Sequence, residues 1–232
     1  MGAISGAMMN ICPESERVYL APAEYVDSDH PAIVAAAWAI CGPARTDSEK
    51  ARAIYYYVRE IVYHAADFAD LNSYRASHVL HAGHGYCGAK ASLFAALCRA
   101  SGLPARLLFA DVTNHIATPQ TRAKFGSSLY AWHGYNEVMI GDRWVKVSPT
   151  FNSSMCRKIG VAPLEFDGVS DACLQAFDEA GNTFLTYEKF HGAFHDVPAK
   201  FLAAEMYRLY PGVCAAIRDG EFPLPVELRR EV

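Results

Sequence analysis

The chain has 232 residues, of which 52% are hydrophobic and 20% charged, and its net charge at neutral pH is −4. A chain of this length and composition can bury a full core, which excludes a disordered tail and predicts a single domain over residues 1–232. The acidic balance and the scatter of the basic residues argue against nucleic acid as a partner, because a nucleic-acid surface needs a basic stripe or patch.

The cysteines and the N-terminal residues predict the cellular compartment of the protein. Seven cysteines are scattered along the chain, an odd number that does not fit a secreted disulfide framework, so we expect a reducing, cytoplasmic location. Met1 to Cys12 lacks a basic residue before its apolar part and does not read as a signal peptide. Since no apolar run approaches the roughly 20 residues of a membrane span, no membrane partner is expected. The oligomeric state is left open.

Three helices are predicted in the first third of the chain. The first covers residues 31–41, because proline suits the first helical position and Gly42-Pro43 cannot continue a helix. The second starts after Thr46, where the segment Thr-Asp-Ser-Glu reads as a capping box followed by apolar residues at helical spacing. A short third helix over residues 75–81 ends at Gly83.

The most informative residue is Cys87, which lies where a glycine-rich loop turns into an amphipathic helix. The loop reads His84-Gly85-Tyr86-Cys87-Gly88, and the helix stops at Ser101-Gly102. A thiol in the first turn of a helix meets unpaired backbone N–H groups and the positive end of the macrodipole, which are expected to lower its pKa. Cys87 is therefore predicted to be a nucleophile that needs a histidine and a polar residue to orient it.

A β-hairpin in the middle of the chain supplies both partners. Residues 105–112 predict a buried strand, and residues 113–128 a polar excursion over the surface. The hairpin follows, with strands over residues 133–140 and 143–148 and a two-residue II′ loop led by glycine at Gly141-Asp142.

The register of this hairpin predicts which side chains meet. With a two-residue loop, Thr150 stands opposite His133 and Ser148 is its diagonal neighbour on the same face. Asn152 shares that face. The hairpin can therefore bring an imidazole and a polar orienter together.

Helices come first along the chain and antiparallel strands second, which indicates an α+β fold. After the hairpin, residues 165–168 read as a turn and residues 200–209 as a closing helix.

Several motifs, taken in chain order, resemble the transglutaminase-like superfamily. They are Gly85-Tyr86-Cys87-Gly88-Ala89-Lys90-Ala91, then Arg99 to Arg106 with Gly-Leu-Pro-Ala-Arg, then His133 to Val138, then Arg143 to Thr150. The resemblance covers about residues 46–152 and leaves 153–232 as a C-terminal extension. It implies a papain-like core with a Cys-His-Asp triad for acyl transfer, with Cys87 as nucleophile and His133 as base, no metal and no cofactor.

One position departs from the family. Ser148 stands where the family has the aspartate of the triad, and a hydroxyl can orient an imidazole but cannot stabilise imidazolium by charge. Either Ser148 takes the orienting role or Asn152 does, since an amide plays that part in thiol proteases.

The resemblance implies a peptide, a protein or a small acyl or amide compound as substrate, and leaves hydrolysis and amide transfer both open. The Cys87 backbone N–H is expected to stabilise the oxyanion. Tyr86, Asn114, His115 and Trp132 are expected to contact the substrate, with Asp111 near them.

Two other function classes stay open. Because Ser148 replaces an acid, the domain could bind peptides or acyl carriers without efficient catalysis. His78, His81, His84 and Cys87 recur every third residue and are all zinc-binding types, which permits a zinc protein. Against zinc, such ligands would have to come from a short helix and a glycine loop together, without the usual i and i+4 pairing.

Overall fold

The computed structural model describes residues 14–65, 67–173 and 175–221, so Met1 to Cys12 lies outside the described residues. Within them the helices are α1 (Pro31–Cys41), α2 (Asp47–Glu60), α3 (Ala76–Ala82), α4 (Cys87–Ala100), α5 (Pro119–Phe125), α6 (Ser153–Ile159), α7 (Ala199–Leu209) and α8 (Pro211–Arg218). The strands are β1 (Val62–Tyr63), β2 (His84–Gly85), β3 (Ala105–Asn114), β4 (Leu129–Ile140), β5 (Arg143–Val147) and β6 (Leu185–Phe194). Short 3-10 helices span Glu14–Leu20 and Leu71–Tyr74.

Four strands form one antiparallel sheet in the order β5-β4-β3-β6, and β1 pairs with β2 in parallel. The α+β prediction is confirmed. The hairpin loop is also as predicted, because Ile140 pairs with Arg143 and Gly141 has a φ of 65°. A leading glycine with positive φ is what a II′ turn requires.

Local capping fixes the first helices where the sequence predicts them. The Thr46 hydroxyl accepts a hydrogen bond from the Glu49 backbone N–H, and the Glu49 carboxylate accepts one from the Thr46 N–H, which completes the capping box at α2. α3 ends at Gly83, whose φ of 69° is the left-handed conformation of a helix C-cap.

α4 lies at the centre of the molecule rather than on its surface. Residues 88–99 are all buried, so the helix is covered all round and not along one stripe as an amphipathic helix would be. Its polar residues are satisfied internally; the Arg99 guanidinium, for example, donates to the backbone carbonyls of Ala105 and Ala21. A central helix of this kind carries its first residue, Cys87, to a fixed position against the sheet.

The region predicted as a polar excursion is more regular than expected. β3 continues to Asn114, and residues 119–125 form α5. Pairing with β4 and β6 extends β3, while the Thr118 hydroxyl caps α5 and Pro119 occupies its first turn.

The segment after residue 152 completes the sheet and the main core. β6 pairs with the free edge of β3, and Val197 and Leu202 pack into the largest hydrophobic cluster. The closing helix α7 was predicted, whereas β6 was not. No described helix is long and apolar enough to cross a membrane.

Candidate active site

Cys87 is the first residue of α4, as predicted. Its preceding residue, Tyr86, has extended backbone and its side chain makes no capping hydrogen bond, so the first N–H groups of the helix stay available. The thiol lies against the backbone N–H groups of Cys87 itself and of Gly88. Cys87 as a residue is half-buried, and burial is the largest influence on the pKa of its thiol.

A third N–H group reaches the thiol from β4. The backbone N–H of Gly134 hydrogen-bonds to the Cys87 sulfur, and this amide is the peptide bond that follows His133. The approach is close because glycine stands on both sides of the contact, Gly134 on β4 and Gly88 on α4: a Cβ on Gly134 would lie 2.8 Å from Gly88 Cα. The glycines therefore allow β4 to contact the N-terminus of α4 at the residue that follows His133.

This contact gives a first prediction. Gly134→Ala should lower the free energy of unfolding by about 1–3 kcal/mol, because backbone atoms surround the new methyl group and must shift. It should also slow alkylation of Cys87, since the sulfur loses its β4 donor. Denaturant unfolding and the rate of iodoacetamide labelling measure the two effects. Gly42→Ala is the control, because its Cβ would meet nothing closer than 3.4 Å; equal effects in both variants would contradict the prediction.

Burial shifts the pKa values of both candidate catalytic groups. Burial raises the pKa of the Cys87 thiol, and the N–H groups of Gly134, Gly88 and Cys87 oppose this without overcoming it. The expected lowering of the thiol pKa is therefore wrong: the helix terminus is present, but desolvation outweighs it. Burial also lowers the pKa of His133 to about 4. Both groups are neutral in the resting protein at pH 7.

The pH dependence of thiol labelling follows from that direction. A thiol reacts as thiolate, so alkylation of Cys87 should be slow at pH 7 and should still be rising above pH 9, the ordinary thiol value. Mass spectrometry of the iodoacetamide adduct on the Cys87 peptide gives the rate at each pH. A rate that is already constant between pH 6 and pH 8 would indicate a thiolate–imidazolium pair and would refute this assignment.

His133 is packed among aromatic rings. Its imidazole lies 6.4 Å from the ring of Tyr135 and 6.1 Å from the ring of Tyr187, measured between centroids. Among the described residues no hydrogen bond joins the imidazole to the Cys87 thiol, and burial is the only influence on its pKa. The direct thiol–imidazole contact stays a prediction, since catalytic hydrogen bonds often form only when substrate binds.

Ser148 does not occupy the register position expected for it. The ladder between β4 and β5 ends at the pair Asn136 and Val147, and the Ser148 N–H donates to the Ala172 carbonyl instead. Thr150 therefore does not stand opposite His133. The reason is Pro149, which has no N–H for the ladder and turns the chain away.

The Ser148 side chain is nevertheless buried in the same region. Its hydroxyl lies 2.9 Å from the hydroxyl of Thr150 and interacts with the phenol of Tyr187, whose ring contacts His133. Ser148 thus reaches the histidine through Tyr187 rather than as its direct neighbour on a strand.

Asn152 is held elsewhere. Its side-chain carbonyl accepts a hydrogen bond from the Tyr63 N–H at 3.0 Å, and its amide donates to the Ser154 hydroxyl at 2.6 Å. It is the N-cap residue of α6. These contacts join β1 to α6, and the structure does not bring the Asn152 amide to His133.

The four residues expected to contact substrate divide into two groups. Tyr86 and Trp132 flank Cys87 and His133 in sequence and are half-buried. Asn114 is the last residue of β3 and His115 follows it; Asn114 lies roughly 13 Å along the strand from Ala110, the residue that pairs with His133. The Asn114 side chain accepts from the Ile116 N–H in a turn, and the His115 ring contacts Thr186 at 2.9 Å, so neither reaches the nucleophile.

Sequence reasoning missed Lys90, one turn into α4. Its side chain is fully buried, and its ammonium donates to the carbonyls of Arg59 at 2.9 Å, Ile61 at 2.6 Å and Thr150 at 2.6 Å. Burial lowers the pKa of Lys90 to about 7, while three carbonyl acceptors favour the charged form. The sequence signal that could have identified Lys90 is its place in the Cys87 motif, three residues after the cysteine.

A cavity of about 260 Å³ opens beside the segment that leads into Cys87. Its polar lining consists of His64, Asp67, Asp70, Ser73, His78 and His84. The volume suits one side chain or a small acyl group rather than a large cofactor.

The zinc alternative finds no site in the part of the chain that the structure describes. No group of three or more His, Cys, Asp or Glu side chains is arranged there to hold a metal ion. The histidines at three-residue steps are distributed over α3 and β2, separated by the left-handed turn at Gly83. The turn at Gly83 therefore separates His84 from the histidines of α3, although the three-residue spacing suggested a single cluster.

The motifs around Cys87 and His133 lie within a region that is similar to a known protein family. Residues 35–149 match the family model of the transglutaminase-like superfamily, which confirms the resemblance drawn from the motifs. No curated protein matches the sequence significantly.

The solved structures that resemble the chain include the following two. A protein from Cytophaga hutchinsonii named a "putative cysteine protease" is 18% identical, with a TM-score of 0.49 over 81% of this chain and 57% of that one. A protein from Parabacteroides distasonis named a "putative protease" is 14% identical, with a TM-score of 0.40 over 59% of this chain and 27% of that one. The chain thus spans little more than half of the first and about a quarter of the second.

Proposed function

Residues 35–149 make this chain a member of the transglutaminase-like superfamily, and from that premise we propose that it is a cysteine-dependent acyl-transfer enzyme. In this proposal Cys87 is the nucleophile and His133 the base. The observation that carries it is the thiol at a helix N-terminus, surrounded by three backbone N–H groups, one of which belongs to the residue after His133. We further propose a peptide, protein or small acyl compound as substrate, and a reducing, cytoplasmic location.

The first step begins from a neutral thiol and a neutral imidazole. As the Cys87 sulfur attacks the substrate carbonyl, its proton passes to His133, and the carbonyl oxygen becomes an oxyanion. Backbone N–H groups at the start of α4 are available to donate to that oxyanion. When the tetrahedral intermediate collapses, the bond to the leaving amine, alcohol or thiol breaks and His133 returns the proton to it. A thioester on Cys87 remains.

The second step consumes this thioester. Water attack, assisted by His133, releases an acid and restores the thiol; attack by an amine gives a new amide. Because resting His133 is a weak base and the thiol a weak acid, catalysis depends on interactions that stabilise charge in the transition state. The N–H groups around the sulfur and the buried ammonium of Lys90, which lowers the thiol pKa, are the described groups of that kind.

The test is formation of a covalent adduct. The full chain is incubated with a panel of peptide amides, esters and acyl thioesters, quenched in acid and analysed by peptide mass spectrometry. We expect an acyl mass on the Cys87 peptide and on no other cysteine peptide. Addition of a primary amine before the quench distinguishes amide transfer from hydrolysis by the mass of the released product.

A second candidate function has its own supporting observation. The raised thiol pKa, the lowered His133 pKa and Ser148 in place of an acid all favour a domain that binds acyl or peptide ligands with little turnover. Saturable binding of a panel compound without any adduct on Cys87 would support that function and contradict the enzyme.

The departure at Ser148 gives a further prediction. Ser148→Ala should slow adduct formation by less than about tenfold, because a neutral hydroxyl acting through Tyr187 adds little to a proton transfer. Ser148→Asp should be tolerated or faster, since a carboxylate near His133 would raise the imidazole pKa. Initial rates of adduct formation give both values. Asn152→Ala is the comparison: it should lower stability by about 1 kcal/mol through its lost hydrogen bonds, with no selective effect on rate.

A further inference from the structure

The strands on both sides of β3 are bulged close together, between Phe109 and Val112 of β3. On the β4 side, Ala131 and Trp132 stand opposite the single residue Asp111. On the β6 side, His191 is left out of the pairing between Phe190 and Gly192. Each bulge inserts an extra residue and turns its strand, and bulges of this kind commonly redirect a side chain near a functional site.

Trp132 is strained by its bulge. Its φ is 59°, and no other residue except glycine has a positive φ among those that the structure describes. A bulky side chain in this conformation persists only where its surroundings hold it, at a cost of about 1–3 kcal/mol. Trp132 is also the residue directly before His133.

The surroundings that hold Trp132 come from the two other strands. One oxygen of the Asp111 carboxylate, Oδ1, accepts from the Trp132 backbone N–H at 3.1 Å and from His191 Nε2 at 2.7 Å. The Trp132 indole stacks on the His191 ring, with centroids 3.9 Å apart and planes at 11°. We call these three residues the bulge cluster. It joins β4, β3 and β6 through one carboxylate oxygen and one stacked pair.

We propose that the bulge cluster is a positioning device that sets the orientation of His133 toward Cys87. The physical reason is the two-residue period of a strand: removing the extra residue of the bulge would exchange the two faces of β4 on one side of it. The backbone between Trp132 and Gly134 carries both His133 and the N–H that reaches the Cys87 sulfur. This inference rests on the proposed function for the role of His133, but the geometry that it assigns can be tested separately.

The experiment uses two readouts on the full chain. The first is the NMR titration of the His133 ring, which does not depend on activity and is assigned with a His133→Gln variant. The second is the rate of acyl adduct formation on Cys87. For Asp111→Ala we expect the His133 titration to move toward that of an exposed imidazole and the adduct rate to fall at least about tenfold, because small misplacements of a catalytic group have effects of that size.

Conservative variants and a matched control separate positioning from general loss of stability. Asp111→Asn keeps Oδ1 as acceptor for the Trp132 N–H and should restore the adduct rate to within about threefold of the unmutated protein. Asp196→Ala removes a carboxylate that accepts from the backbone N–H groups of Tyr25 and Val26, neither of which belongs to the bulge cluster. It should lower stability without altering the His133 titration.

Each outcome decides the matter. An unchanged His133 titration in folded Asp111→Ala would overturn the proposal, whatever the adduct rate. If Asp111→Ala does not fold, His191→Ala against His191→Gln gives the same comparison, because glutamine can still donate to Asp111. Should the unmutated protein form no adduct, the proposed function fails, while the titration still decides whether the cluster sets the position of His133.

Discussion

Replacing Cys87 by alanine is expected to abolish adduct formation and turnover while leaving the fold intact. Alanine is well suited to the first turn of a helix, and removal of a single sulfur atom leaves no large cavity. The loss should be complete, because no other group can carry the acyl intermediate. Mass spectrometry and product analysis on the panel of amides and thioesters measure the effect, and thermal unfolding measures the stability.

The matched control is Cys173→Ala, because Cys173 is also a half-buried free thiol with a raised pKa. It should retain full activity. Turnover that survives in the Cys87 variant would end the nucleophile assignment. A variant that fails to fold would instead indicate that Cys87 is a packing residue.

Lys90→Met is expected to lower the free energy of unfolding by about 3 kcal/mol, the second large effect. Methionine fills a similar volume and removes a buried charge, which by itself would be neutral or favourable. Against that, the carbonyls of Arg59, Ile61 and Thr150 lose their donor, and each buried unpaired acceptor costs about 1–3 kcal/mol. The three lost hydrogen bonds are expected to outweigh the gain.

Denaturant unfolding of the unmutated protein, Lys90→Met and Lys50→Met measures this difference. Lys50 also donates to a backbone carbonyl, that of Ser101 at 3.3 Å, but its side chain is 31% exposed, so water can replace it. Its variant should change stability by less than about 1 kcal/mol. Equal values for the two lysine variants would show that the carbonyls around Lys90 do not need its ammonium. Thr150 accepts from Lys90 and its hydroxyl lies 2.9 Å from that of Ser148. The Lys90 variant should therefore also slow adduct formation.

Local sequence signals predicted the elements that depend on neighbours in the chain. The capping box at Thr46 and the stop at Gly83 are settled within a few residues by backbone hydrogen bonds and allowed dihedral angles. The glycine at 141 fixed the hairpin loop and the register near it for the same reason. Cys87 at the start of α4 was predictable because a glycine-rich loop before an apolar run marks a helix start.

Signals of that kind were absent where distant segments decide the structure. β6 has exposed polar residues at its centre, so its sequence lacks the alternation of a strand, and it forms because the edge of β3 needs a partner. Ser148 leaves the ladder because Pro149 cannot donate to it, which ends a register that looked continuous from the turn. The Lys90 amine is buried in a position that only the surrounding carbonyls make acceptable.

The sequence by itself determined the family, the α+β class, the position of Cys87 at a helix start and the hairpin that carries His133, because motifs and capping act over short spans of chain. The tertiary structure alone decided the pKa values of Cys87 and His133 and the backbone conformation directly before His133. Desolvation by residues far apart in sequence raises the pKa of Cys87 above its ordinary value and lowers that of His133 to about 4. The strained backbone at Trp132 exists only because Asp111 and His191, on two other strands, hold it.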